Sequence, residues 1–408
     1  MSSISRDRFP PGFFDLPHGV GGSLPLEIIA EWTQGTRTAD AARRLLAPYS
    51  LRGIVVCSDS SGLTRLGRER PLIEILAMIG VPKEIIHAHG RAIGGRAIGV
   101  WAADNTEMFY GAGIETARVV AMLRTTAERM AADCELGIGM AAHAGQFYEL
   151  AGAVYGADAD RVEKVAEEHT GAGELLVSDS VVRALPDTHG FELAKRTDLG
   201  DFLHVVTGPV LEGLDATDVD YPAPYSSDFT QSLATYSRTR RDSRMPKKAY
   251  EDLAVVLIER EPESSEVPEV AVLENLALIA AMKRIGLALL PEHAGHEVKN
   301  AGLIGIYTFT DCGTAIAFAQ DFKHSLGERG LRCRIGIDAG LVLVFELGGG
   351  MHDIAGSPVN VASKLSQDVG EYGMIQISDE VAKRANRKRE RPTRTFHVSG
   401  VELRAYDV

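Results

Sequence analysis

A set of landmarks recurs at a fixed distance along this chain, and the recurrence limits its fold more than any other feature. Gly156, Asp160, Lys164 and the pair Ser178-Asp179 are matched 200 positions later by Gly356, Asn360, Lys364 and Ser378-Asp379. Chance does not hold one register over so many positions, so the chain is an internal duplication. Its 408 residues are too many for one typical core and comfortable for two. Where the two copies differ, the difference is a guide to function.

In the first copy, Ile54-Val55-Val56-Cys57-Ser58 is a short β-branched run that reads as a buried strand ending at Asp59. Ser60-Ser61-Gly62-Leu63-Thr64 reads as the turn into a helix. A carboxylate there can hold a divalent metal, and free N–H groups at a helix start can hold phosphate oxygens. Taken alone, an aspartate after a strand is more often a cap. A second aspartate shifts the balance. Gly94 to Asn105 and Thr106 to Gly111 read as two strands with Ala103-Asp104-Asn105 as their tight turn, which puts Asp104 on a hairpin tip. Helices are expected over 64–80 and 112–131, a strand from Cys134 to Ala142 leading through His143-Ala144-Gly145 into Gln146 to Leu150, a helix from Asp158 to His169 and a strand from Glu174 to Ser178. His143, near a strand end, reads as a core histidine.

Composition narrows the setting. A formal net charge of −13 argues against a nucleic-acid backbone or an anionic membrane as main partner. No apolar run reaches the length of a membrane span, Met1 to Asp7 opens no signal peptide, and a cytoplasmic location is expected. Cys57, Cys134, Cys312 and Cys333 lack paired metal spacing and read as reduced structural thiols. The expected divisions are an N-terminal arm and helices (1–50), a first domain (51–208), a proline-marked linker (209–248) and a second domain (249–408). The linker's basic run, Arg238 to Lys248, reads as a solvated tether or as cations that approach a triphosphate. Gly348-Gly349-Gly350 lacks the Lys-Ser/Thr ending of a P-loop and reads as a hairpin loop.

Asp59-x-x-Gly62-x-Thr64, followed by Asp104 at a hairpin, resembles the catalytic domain of class III nucleotidyl cyclases, the adenylyl and guanylyl cyclases. Gly156 to Val165 sits where that family keeps a Tyr-Gly-Asp-x-Val-Asn-x-Ala-x-Arg signature. The resemblance implies an α+β fold: two tandem domains with ferredoxin-like β-α-β-β-α-β cores, packed as a pseudo-two-fold pair within one chain. It also implies that Asp59 and Asp104 bind two ions, Mg²⁺ or Mn²⁺, and that Ser60, Ser61, Gly62, Leu63 and Thr64 hold the triphosphate.

The second copy departs from the first at these positions. Shifted onto it, Asp59 meets Glu259 and Asp104 meets Leu303, which cannot ligate a metal. Lys299 occupies the slot of the family's purine-reading lysine, where the first copy has Val100. The signature becomes Gly356-Ser357-Pro358-Val359-Asn360-Val361-Ala362-Ser363-Lys364. By resemblance, Asn360 orients the ribose, Ser357 replaces the family's aspartate near the base, and Lys364 stands where an arginine stabilises phosphate charge. Glu135 falls where the family often places a triphosphate-binding arginine, which the second copy keeps as Arg334. The resemblance therefore implies one composite site per chain, arranged as in the two-domain mammalian adenylyl cyclases. A ribose 3′-hydroxyl attacks the α-phosphorus and pyrophosphate leaves, with ATP the favoured substrate and guanine and pyrimidine nucleotides open. The expected assembly is a monomer with an internal pseudo-dimer, further oligomerisation being open. The alternative is a catalytically inactive cyclase-like module that binds a nucleotide and senses it.

Overall fold

Every residue from Ile54 to Ser58 is buried, so the β-branched run is covered on both faces and becomes the middle of a sheet. The computed structural model describes residues 13, 16, 24–63, 66, 70, 72–99, 101, 104–214, 250–346, 352–387, 392–398 and 401–408. Two helices come first, α1 (Leu26–Gln34) and α2 (Ala39–Leu46), separated where Arg37 takes φ +49°. The first domain then follows as β1 (Ser50–Ser61), α3 (Leu72–Ala92), β2 (Arg96–Ala97), β3 (Thr106–Gly111), α4 (Thr116–Asp133) and β4 (Gly137–Leu150). It closes with β5 (Ala153–Tyr155), α5 (Ala157–His169), β6 (Leu175–Ser178), α6 (Asp179–Arg183), β7 (Glu192–Lys195) and β8 (Phe202–Thr207). The sheet order is β2-β3-β1-β4-β6-β8-β7, with β5 on β4. Its β1-α3-β2-β3-α4-β4 core is the expected β-α-β-β-α-β unit.

The second domain repeats this path. Its elements are β9 (Tyr250–Arg260), α7 (Pro268–His293), β10 (His296–Ala301), β11 (Ile304–Phe309), α8 (Cys312–Gly327), β12 (Cys333–Glu346), β13 (His352–Ala355) and α9 (Ser357–Ser363). A π-helical turn at Lys364–Asp368 continues α9, followed by β14 (Ile375–Ser378), α10 (Asp379–Arg384), β15 (Arg394–Val398) and β16 (Val401–Asp407). The order β10-β11-β9-β12-β14-β16-β15, with β13 on β12, copies the first sheet strand for strand. Contacts gather the chain into two compact units, one drawn from Leu46–Leu63 and Ile73–Asp242, the other from Met1–Leu45, Thr64–Leu72 and Ser243–Val408. Within the latter, α1 packs on α7.

Three expectations change. The strand expected from Gly94 to Asn105 pairs only at Arg96–Ala97, because Gly99 takes φ +65° and leaves the extended region. Asp104 lies at a bend just before β3, and the tight turn expected at Ala103-Asp104-Asn105 reaches outside the described residues. The helix expected over 64–80 is present from Leu72, most of 64–71 lying outside the described residues, and its apolar pattern carries it beyond 80 to Ala92. The strand through His143 does not break, since His143, Ala144 and Gly145 pair with Val55, Ile54 and Gly53. His143 is a core histidine, its Nε2 3.2 Å from Asp158 Oδ1 and its ring stacked on Phe202. Thr64, Val100, the basic run, most of the linker and Gly348 to Gly350 lie outside the described residues. All four cysteines are free, and among the described residues no helix is long and apolar enough to cross a membrane.

The repeat is not uniform. Val55 pairs with His143 and Val255 with Asp338, so this strand is offset by 195 positions. The offset returns to 200 at Gly156 and Gly356, which start α5 and α9 with φ +126° and +150°. Between β12 and α9 the fit is close. A Cβ on Gly336 would lie 2.0 Å from the Ala362 carbonyl oxygen. Gly336→Ala should therefore push α9 outward and lower stability by about 1–3 kcal/mol, read from the urea midpoint. A midpoint equal to wild type would show that the helix yields freely.

Candidate active site

β1 runs through Ser60 and Ser61, and Gly62 turns the chain with φ +87° before Leu63 enters a helical conformation. That turn leaves Asp59 near the end of the strand, half-buried, opposite Gly139 on β4. Gly139 has no room for a side chain because Thr170 occupies that space. On the other edge, the β1–β3 register ends with Ser58 opposite Thr106, their hydroxyls 2.6 Å apart. Asp104 lies just beyond that pair and meets Asp59. Ser60 Oγ donates to Asp104 Oδ2.

The Asp59 carboxyl is thus set close to a second carboxyl, that of Asp104. Burial, then the Asp104 charge, then Glu167, hold Asp59 well above the ordinary carboxylate range. Glu167, on α5, is pushed up to about 7 by burial and by Glu163 and Asp104, while a hydrogen bond from Asn105 opposes the rise. Its side chain keeps solvent on one side, which weakens the burial effect and leaves carboxylate crowding as the firmer cause. Glu107 on β3 is pushed up to about 8, chiefly by burial. Among the described residues no group of three or more His, Cys, Asp or Glu side chains is set to hold a metal ion. Two adjacent carboxylates, with water and phosphate oxygens completing the shell, nonetheless suit Mg²⁺ or Mn²⁺, which ordinarily takes only one or two protein carboxylates. The crowding that raises Asp59 is what a cation would relieve.

The corresponding place in the second domain is closed by its own side chains. Glu259, opposite Arg334 across β9 and β12, receives two hydrogen bonds from its guanidinium at 3.0 and 2.9 Å. Tyr372 O–H donates to the same carboxylate at 3.3 Å, and the Arg334 guanidinium lies 5.0 Å over its ring. Leu303 accepts a backbone bond from Arg260, whose buried side chain turns to the Glu261 carbonyl and Asn275 on α7. The cross-strand register makes Gly139, not Glu135, the counterpart of Arg334. The arginine thus serves as an internal counter-ion where the first domain has a glycine beside an open carboxylate pair.

The second domain groups other residues. Lys299 on β10 lies 3.2 Å from Asp353 Oδ2 on β13, and Asp353 Oδ1 accepts the Ile354 N–H. Asp353 was not singled out from the sequence; only the tertiary fold brings it to Lys299, 54 positions away. A β-bulge between Glu297 and Lys299 makes Ile98, rather than Val100, the first-domain counterpart of Lys299. Ser357 is exposed at the first position of α9, after Gly356. Asn360 is half-buried on α9, and Lys364 opens the π-helical turn with Nζ 3.4 Å from Asp368 Oδ2. Such turns recur at functional sites.

Residues 279–405 match the family model described as the adenylate and guanylate cyclase catalytic domain. A class III adenylyl cyclase-like ATP-binding protein from Pseudomonas aeruginosa superposes with a TM-score of 0.57 at 10% identity, over 82% of this chain and 85% of that one. An adenylate/guanylate cyclase/hydrolase from Silicibacter pomeroyi (22% identity, 39% of this chain, 96% of that one) gives 0.32. The adenylyl cyclase CyaB of P. aeruginosa (19%, 39% and 93%) gives 0.33. The comparison with curated proteins returned no match. The match to the cyclase catalytic domain thus falls within the second domain, and the first domain repeats that domain's strand order.

Two outcomes follow from this geometry. A carboxyl raised as Asp59 is favours the folded state while protonated, so metal-free protein loses stability as pH climbs above the ordinary carboxylate value of about 4. A cation prefers the ionised pair, so the gain in Tm from Mn²⁺ should grow from about pH 6 to about pH 8; a gain that shrinks would contradict it. Glu259→Gln, which weakens the Arg334 pair, should lower stability by about 1–3 kcal/mol in denaturant titrations and leave the Mn²⁺ response unchanged.

Proposed function

We propose that the chain is a nucleotidyl cyclase that converts a nucleoside triphosphate, with ATP favoured, to a 3′,5′-cyclic nucleotide and pyrophosphate. One site per chain is expected, with Asp59 and Asp104 from the first domain and Lys299, Asn360 and Lys364 from the second. That division of labour is the one the sequence resemblance implies. The observation that carries the reading is the contrast between the copies: a cation-ready carboxylate pair in one, an arginine-filled counterpart in the other.

When bound, two divalent cations would neutralise the triphosphate and activate the ribose 3′-hydroxyl. Asp59 and Asp104 would hold them, and the N–H groups from Ser60 to Thr64 would bind phosphate oxygens. Asn360 would orient the ribose, and Lys364 would stabilise charge on the phosphate. The Lys299–Asp353 pair sets a donor beside an acceptor, which match N1 and the 6-amino group of adenine. Guanine also offers both functions, through O6 and N1–H, so the base is decided by assay. ATP is favoured in part because the structural neighbour spanning most of the chain is described as ATP-binding. The same description favours, as second reading, a module that binds the nucleotide without turning it over, since Lys364 is a point charge where the family has an arginine's fork.

Pyrophosphate release from each of the four nucleoside triphosphates with Mn²⁺ separates the readings. The cyclase reading expects release that Asp59→Ala or Asp104→Ala abolishes, and that Lys364→Ala reduces by about 10²–10³-fold, mainly in kcat. Binding without release from any nucleotide would leave the sensing module standing instead.

A further inference from the structure

A lysine recurs at one place on the helix that follows the first strand of each domain. Lys83 on α3 and Lys283 on α7 lie 200 positions apart. The helix ends keep that register: Gly95 N–H donates to the Gly90 carbonyl, and Gly295 N–H to that of Leu290. Lys283 Nζ pairs with Glu297 on β10. Glu297 faces Tyr307 as Ala97 faces Met108, and Tyr307 and Met108 face Val256 and Val56 in turn. The first domain has therefore kept the lysine and has alanine where its carboxylate partner would stand.

Lys83 is turned to another use. It is 1% exposed, and its Nζ donates to the Trp101 carbonyl oxygen at 2.6 Å. Trp101 is fastened twice more to its surroundings. Its indole N–H donates to the Ile98 carbonyl at 3.0 Å, and its ring meets His87 of α3 edge-on at 5.8 Å. Trp101 stands three residues before Asp104 in the sequence. Burial brings the Lys83 ammonium down to about 8, against the upward pull of the Asp104 carboxylate.

We propose that Lys83 is a positioning residue for the cation site, fixing the Trp101 backbone, three residues before Asp104, so that Asp104 is presented to Asp59. The proposal rests on reading Asp59 and Asp104 as cation ligands.

The test is Mn²⁺ binding to the full chain without nucleotide, followed by the electron paramagnetic resonance of free Mn²⁺, with a thermal melt of each variant. Lys83→Met should weaken Mn²⁺ binding about tenfold or more, and Lys83→Arg should recover part of the loss. Ala97→Glu gives Lys83 the partner that Lys283 has and should draw it from Trp101, weakening Mn²⁺ binding while the chain stays folded. Lys283→Met should lower the melting temperature and leave Mn²⁺ affinity unchanged. If Lys83→Met does not fold, Ala97→Glu decides. Normal binding by wild type together with wild-type affinity in the Lys83 and Ala97 variants overturns the role of Lys83 alone. So does an equal loss in Lys283→Met. Failure of the wild-type chain to bind Mn²⁺ overturns the cation reading of Asp59 and Asp104, and this proposal with it.

Discussion

Two carboxyls set against each other at the end of a mostly buried strand are unfavourable unless something positive stands between them. Asp59 and Asp104 are in that position, with Glu167 adding to the crowding. The second domain meets the same strand-end position with a carboxylate and a solution of its own. Glu259 is matched by the Arg334 fork, and Leu303 removes the second acid altogether. One fold thus carries both answers to a single electrostatic problem, a covalently attached counter-ion and a vacancy that suits a mobile one. The functional proposal depends on that difference.

The scaffold keeps these groups in place through backbone register more than through side-chain contacts. β1 and β9 are central strands, held on both sides, so the positions of Asp59 and Glu259 follow from long ladders. Glycines are used where helix and sheet approach closest. Gly336 admits α9 and its π-helical turn, and Gly145 leaves space for the Asp158 carboxylate that meets His143. The helix bearing Asn360 and Lys364 is therefore seated on β12 by a close backbone fit.

Much of the architecture was legible in the sequence because duplication leaves a period. The landmarks from Gly156 to Asp179 and from Gly356 to Asp379 fall in matching elements, and the β-branched run at Val55 is the buried strand it promised to be. Local detail was less legible. Gly99, with a positive φ, ended a strand that alternation alone would have extended to Asn105. The offset of 195 at β4 and β12 moved the counterpart of Arg334 from Glu135 to Gly139, since a fixed 200 cannot show where residues are gained and lost. Asp353 and Lys83 carried no motif. Their partners, Lys299 and the Trp101 carbonyl, are supplied by tertiary pairing, which spacing along the chain does not encode.

The central claim is that the first domain alone holds a cation-ready carboxylate pair. Anomalous X-ray scattering from crystals grown with Mn²⁺ and a non-hydrolysable nucleoside triphosphate tests it most directly. The account predicts Mn²⁺ peaks against Asp59 and Asp104 and none against Glu259. Peaks at Glu259, or a bound triphosphate with no Mn²⁺ at Asp59 and Asp104, would contradict it.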